Sequence, residues 1–124
     1  MQIAEQRRIS VNRCDLTGRL TKDPELKMLG NNNPCCTFTL AVNRRFSKET
    51  DFINIVVWGK TGENCANYLS KGKLAAVAGE LHIRTYETKD GRKATATEVV
   101  ADQVDFLSPK NEAPKFNDNE GMPF

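Results

Sequence analysis

No apolar stretch in this sequence approaches the roughly 18 residues that a membrane-crossing helix needs, so a helical span is excluded. The opening residues, MQIAEQRRIS, hold no apolar run, which argues against a secretory signal and leads us to expect a cytoplasmic protein. Histidine is nearly absent, with His82 alone, and the cysteines Cys14, Cys35, Cys36 and Cys65 form no C-x-x-C pair. A zinc site needs ligand pairs at knuckle or helical-turn spacing, so we expect neither metal nor cofactor, and reduced thiols packed as small hydrophobes. There is no Gly-rich phosphate loop and no Ser-His-Asp or Cys-His arrangement, and Glu80, Glu87, Asp102 and Asp105 form no acid–base pair. An enzyme is therefore not expected. Neither sign of charge dominates: 18 basic against 16 acidic residues leave a net +2, too mild to attract a polyanion by bulk charge alone. Residues 1–108 carry 16 basic and 13 acidic side chains, net +3, and residues 109–124 carry 2 and 3, net −1.

A chain of 124 residues, 39% of them hydrophobic, supports one modest core. We divide it into a polar lead-in (1–8), a folded domain (9–108) and a flexible tail (109–124) punctuated by Pro109, Pro114 and Pro123. Within the domain, Ile9 to Leu20 reads as a strand, broken by Lys22-Asp23-Pro24, and Gly30 to Pro34 is a turn signal. Cys36 to Asn43 alternates, with Cys36, Phe38, Leu40 and Val42 on one face. Arg44 to Asp51 is a polar loop, and Asp51 to Trp58 is rich in Ile and Val. Thr61 to Lys71 is the helix candidate, with Gly72 at the C-cap position. Lys73 to Tyr86 and Ala94 to Leu107 are strands joined by the turn Lys89-Asp90-Gly91-Arg92. Five strands with one helix between the third and fourth is the order of an OB-fold, a five-stranded Greek-key barrel.

Parity separates core from surface. Ile53, Ile55 and Val57 are assigned to the core, which sends Phe52, Asn54, Val56 and Trp58 to the opposite face. Val77, Leu81 and Ile83 likewise take the core face, leaving Glu80, His82, Arg84 and Tyr86 outside. Phe38 and Phe106 are expected in the core, and Tyr68 as helix packing. Phe46 lies in a loop with Arg44, Arg45 and Lys48; Lys60 follows Trp58; Lys71 and Lys73 flank the helix end. Aromatics interleaved with cations suit single-stranded nucleic acid, whose bases stack and whose phosphates need positive charge. From parity alone, a subunit interface or a second layer of core explains the same aromatics.

The stretches VNR (11–13), GRLTKDPEL (18–26), TFTLAVNR (37–44), DFINIVVWGK (51–60), YLSKG (68–72) and TEVVA (97–101) together resemble the bacterial single-stranded DNA-binding protein family, as does the ending Met122-Pro123-Phe124. The resemblance covers about residues 10–108 plus the last few. It implies an OB-fold that assembles as a homotetramer and coats single-stranded DNA in replication, recombination and repair, in the bacterial cytoplasm and nucleoid or in a phage host. It implies stacking roles for Phe46, Phe52, Trp58 and Tyr86 and backbone contacts from Lys60, Lys71 and Arg84, to which the local pattern adds Arg44, Arg45 and Lys73. It also implies that the tip, with Asp118, Glu120, Met122, Pro123 and Phe124, recruits replication and repair proteins, and that no membrane is involved. The chain departs from the family pattern at Asp15, in a strand that is usually aliphatic, at Ile53, where some members carry an interface histidine, and in its short linker and acid-poor tip. An OB-fold RNA-binding or primosome-type module is the alternative reading.

Overall fold

Alternating burial organises the chain. The computed structural model describes residues 10–108. In β3 (Asn33–Asn43) Cys36, Phe38 and Leu40 are buried, and in β4 (Thr50–Trp58) Ile55 and Val57 are fully buried while Ile53 packs against the same cluster. The two strands pair antiparallel with Phe38 opposite Ile55 and Leu40 opposite Ile53, so apolar side chains meet across the ladder. Val56 is also buried although it lies on the other face. β4 is an interior strand here, with Thr37 of β3 on one side of Val56 and Val100 of β6 (Lys93–Phe106) on the other.

The strands close into a ring. β1 (Cys14–Leu20) pairs with β5 (Leu74–Glu87), β5 with β6, β6 with β4, β4 with β3, and β3 returns to β1 through Arg19–Ala41 and Leu20–Leu40. All of these pairs are antiparallel except β4–β6. β2 (Glu25–Leu29) also pairs with β3, where sequence reading had placed only a break and a turn. All five of its residues are exposed, so no alternation marks it as a strand; the ladder to β3 makes it one. β1 and β2 run in succession along β3, separated by Thr21–Pro24, and counted as one bent strand they leave the five-stranded OB-fold barrel with its single helix. β1 begins at Cys14, later than the expected Ile9. Asp15 is accommodated by parity: Cys14 and Leu16 pack toward the core while Asp15 stays exposed and pairs with Arg13 at 3.2 Å.

Helix α1 (Gly59–Tyr68) starts and ends earlier than the expected Thr61–Lys71. Gly72 is therefore not its cap. The helix ends at Leu69, whose N–H bonds to the Cys65 carbonyl at 2.9 Å, and Gly72, at φ +88°, closes the following turn and donates to the Leu20 carbonyl. α1 seats Cys65 on the barrel next to Cys36 through Gly62, where a Cβ would collide with the Val57 carbonyl oxygen.

Three further core assignments change. β5 and β6 extend past the barrel as a hairpin arm, so Leu81 and Ile83 keep the core-facing parity but overshoot the core and are exposed. A bulge beside Ala78/Gly79 marks the point of departure; Asp102 is the extra residue on β6, and Gly79 is small enough to pass the Val100 carbonyl. Phe106 is exposed near the end of β6 and meets Tyr68 at 5.9 Å between ring centroids, so the two rings form a surface pair outside the core.

Candidate nucleic-acid interface

Cross-strand register assembles a continuous outer face from β2, β3, β4, β6 and β5. Lys27, Cys35 and Trp58 form one row; Glu25, Thr37, Val56, Val100 and Glu80 form the next. Thr39, Asn54, Glu98 and His82 follow, then Ala41 beside Phe52 and Ala96 beside Arg84, with Tyr86 one row further along the arm. Because side chains alternate along each strand, these residues share one surface although they come from distant parts of the chain.

The rings on this face are open to solvent: Phe52 is 66%, Trp58 42% and Tyr86 45% exposed. Phe46 stands 91% exposed in the loop between β3 and β4. Cations accompany two of them, the Arg45 guanidinium 5.2 Å from the Phe46 ring centre and the Arg84 guanidinium 5.7 Å from that of Tyr86. Between the rings the floor is polar. The Thr39 hydroxyl donates to the Asn54 side-chain oxygen at 3.0 Å, and a groove lined by Lys22, Asp23, Glu25, Thr37, Thr39, Asn54, Val56 and Glu98 crosses the middle of the face.

The cations expected from the sequence divide into different situations. Arg44 is clamped by Asp51, through Nε and Nη2 at 3.0–3.2 Å, and by Glu49 at 2.8 Å; it pins the base of the Phe46 loop. Its hydrogen bonds hold the Asp51 carboxyl below the usual value and raise its own pKa. Arg84 reaches Glu98 at 3.3 Å, and Lys60 reaches Glu63 at 3.6 Å while remaining exposed. Lys71 is exposed, and its backbone N–H binds the Asp23 carboxylate at 2.9 Å beside the groove. Arg45 is exposed at the loop tip and Lys73 half-buried after the turn. Sequence reading placed the Gly30–Pro34 turn but did not assign it, Lys22 or Lys27 to this face, because recognising Lys27 as a member of the face requires knowing that β2 is a strand. Asp118, Glu120, Met122, Pro123 and Phe124 lie outside the described residues, as does the lead-in 1–8.

The three buried thiols are held in their protonated form. Burial, reinforced by the neighbouring cysteine, pushes Cys36 up to about 11 and Cys65 up to about 12, and burial also raises Cys35. Among the described residues no cluster of His, Cys, Asp or Glu could hold a metal, and no helix is long and apolar enough to cross a membrane.

Open aromatic rings, cations beside them and a polar floor can together stack flat bases and neutralise phosphates. Residues 11–107 match the model of the single-strand binding protein family. Among curated proteins, the chain is 58% identical over 106 residues to single-stranded DNA-binding protein 2 of Staphylococcus aureus strain Mu50, covering 82% of this chain and 75% of that one. It is 51% identical over 118 residues to single-stranded DNA-binding protein 2 of Clostridium acetobutylicum, covering 91% and 89%. A Bacillus cereus single-stranded DNA-binding protein is 53% identical over 106 residues, 82% of this chain and 62% of that protein. With the family match spanning the whole barrel and its outer face, the chain belongs to the single-strand binding protein family.

Proposed function

We propose that the protein binds single-stranded DNA with little sequence preference, stacking bases on Phe46, Phe52, Trp58 and Tyr86 and meeting phosphates with Arg45, Lys60, Lys71, Lys73 and Arg84, with Arg44 holding the Phe46 loop in place. The observation that carries this is the exposure of Phe52, Trp58 and Tyr86 on one face of a closed barrel, where the core does not need them. Stacking accepts any base because every base has a π face, and this makes such binding tolerant of sequence. No catalysis is part of this reading. The same reading extends to coating of strands exposed in replication, recombination and repair, and the ending Met122-Pro123-Phe124, which resembles that of the family, adds recruitment of other proteins by the tip. Self-association into a homotetramer is supported by the exposed apolar side chains of Leu81 and Ile83 on the arm.

The test is a titration with poly-dT followed through Trp58, the sole tryptophan. Strong quenching is expected. Phe52→Ala and Trp58→Ala, the first followed by Trp58 emission and the second by a labelled strand, should each weaken binding by about 1–3 kcal/mol per stacked base, the range known for single-strand binding OB-folds including this family, with the fold intact. Loss of the fold in these variants, or a Trp58 signal indifferent to DNA, would overturn the reading. An RNA oligomer that competes as well as DNA would move it to the RNA-binding module. Removing residues 121–124 should leave DNA affinity nearly unchanged and abolish capture of a repair helicase or exonuclease.

A further inference from the structure

β4 ends at Trp58, but the outer face continues beyond it. Trp58 stands opposite Cys35, which stands opposite Lys27, and the next row outward is Asn33 opposite Leu29. The turn joining β2 to β3 folds over this end through Gly30 at φ +38° and Asn32 at φ +58°, closed by the Asn33 N–H on the Gly30 carbonyl at 3.2 Å. The result is a shallow open cleft of about 490 Å³ lined by Leu29, Gly30, Asn31, Asn32, Asn33 and Trp58. The three asparagines are exposed, and none of their side-chain amides is engaged by another group among the described residues. Lys27 makes no ion pair among the described residues and lies close enough to Cys35 for its charge to act on that thiol.

We infer that this cleft is a nucleotide subsite, in which the Asn31 and Asn33 amides hydrogen-bond the edge of the base stacked on Trp58 and Lys27 meets the adjoining phosphate. It rests on the proposed stacking at Trp58 and adds to it a base-edge contact that stacking alone lacks. The chemistry fits because an asparagine amide carries a donor and an acceptor side by side, and a base unstacked from its neighbours exposes edges bearing the same pair. The amide can rotate to present either group first, so the contact strengthens binding of a base without demanding one base. A strand crossing Trp58 is thereby led off the barrel over the β2–β3 turn, along a row that includes Lys27.

The test compares three proteins on oligo-dA, oligo-dT and an abasic strand of the same length at low salt, using the full chain. The double variant Asn31→Ala/Asn33→Ala leaves the positive φ of Asn32 untouched. It should bind the base-bearing strands more weakly, by about two- to tenfold for each amide hydrogen bond lost, and the abasic strand as well as wild type does. Unchanged abasic binding also reports that the variant is folded. Lys27→Ala should weaken all three strands alike. Trp58 quenching that survives at saturation while the double variant binds every strand like wild type overturns the subsite alone. A double variant that loses base-bearing and abasic strands equally also overturns it. Absence of quenching in the wild type overturns the stacking and the subsite together.

Discussion

Glu98 sits in the middle of the aromatic face, one-fifth exposed, and accepts a hydrogen bond from Arg84 at 3.3 Å while lining the groove beside Asn54. A phosphate approaching Arg84 must compete with this carboxylate, and the carboxylate itself repels the phosphate. Glu98→Gln keeps the shape and removes the charge. We expect it to tighten poly-dT binding by several-fold at low salt, with the gain shrinking as salt screens the repulsion. A titration in which Glu98→Gln binds more weakly would instead make the Arg84–Glu98 pair a device that presents Arg84 in the right pose. Arg44 is the contrasting case, because its partners, Glu49 in the same loop and Asp51 at the start of β4, hold the base of that loop in place. The depressed Asp51 pKa means this pair contributes above the ordinary carboxylate value of 3.8 and is lost as pH falls through the lower folded value, so the loop should keep its shape throughout the neutral and mildly acidic range.

At the level of elements, α1 depends on contact with the barrel. It has no side-chain N-cap, no acidic residue in its first turn and no basic residue in its last, so capping and dipole effects contribute little. Gly62 lets it approach β4, and Cys65 fills the space against β3. Gly62→Ala should therefore destabilise the fold by about 1–3 kcal/mol in urea unfolding, the cost of overpacking outweighing the roughly 1 kcal/mol gain in helix propensity. Stabilisation would mean that the helix can slide. The same interface sets an alkaline limit. Cys36 and Cys65 ionise more readily unfolded, at about 9.0, than folded, at about 11 and about 12. Their contribution is complete below pH 9.0 and declines as pH rises through the folded values, because only the unfolded state releases these protons first. Thermal midpoints falling between pH 9 and 11, and falling less in Cys65→Ala measured against its own neutral value, would be the sign of it.

For the whole molecule, binding through phosphates predicts a steep salt response. Log K should fall with log salt by about 0.7 for each phosphate neutralised on a single strand, and Lys60→Ala or Lys71→Ala should reduce that slope. Binding indifferent to salt would exclude the cationic part of the interface. Light scattering should give a tetramer, and Ile83→Lys, a change at a position 64% exposed in the single chain, should yield a smaller species with the barrel intact. A monomeric wild type at micromolar concentration would remove Leu81 and Ile83 from any subunit contact.

Alternation along β3 and β4 was enough to place Phe38, Leu40, Ile55 and Val57 inside and Phe52 and Trp58 outside, because side-chain direction in a strand has a period of two and needs no knowledge of neighbours. The barrel order and the family likewise followed from short local stretches. Length and closure did not. β2 has no buried side to print a pattern, so it became visible only through its ladder to β3, and with it Lys27 and the asparagine turn joined the Trp58 end of the face. Leu81 and Ile83 obey the core parity of β5, yet parity states a direction and not how far the core extends. The barrel ends near the Gly79 bulge and the arm runs on without it, so tertiary structure alone left those two side chains for another surface.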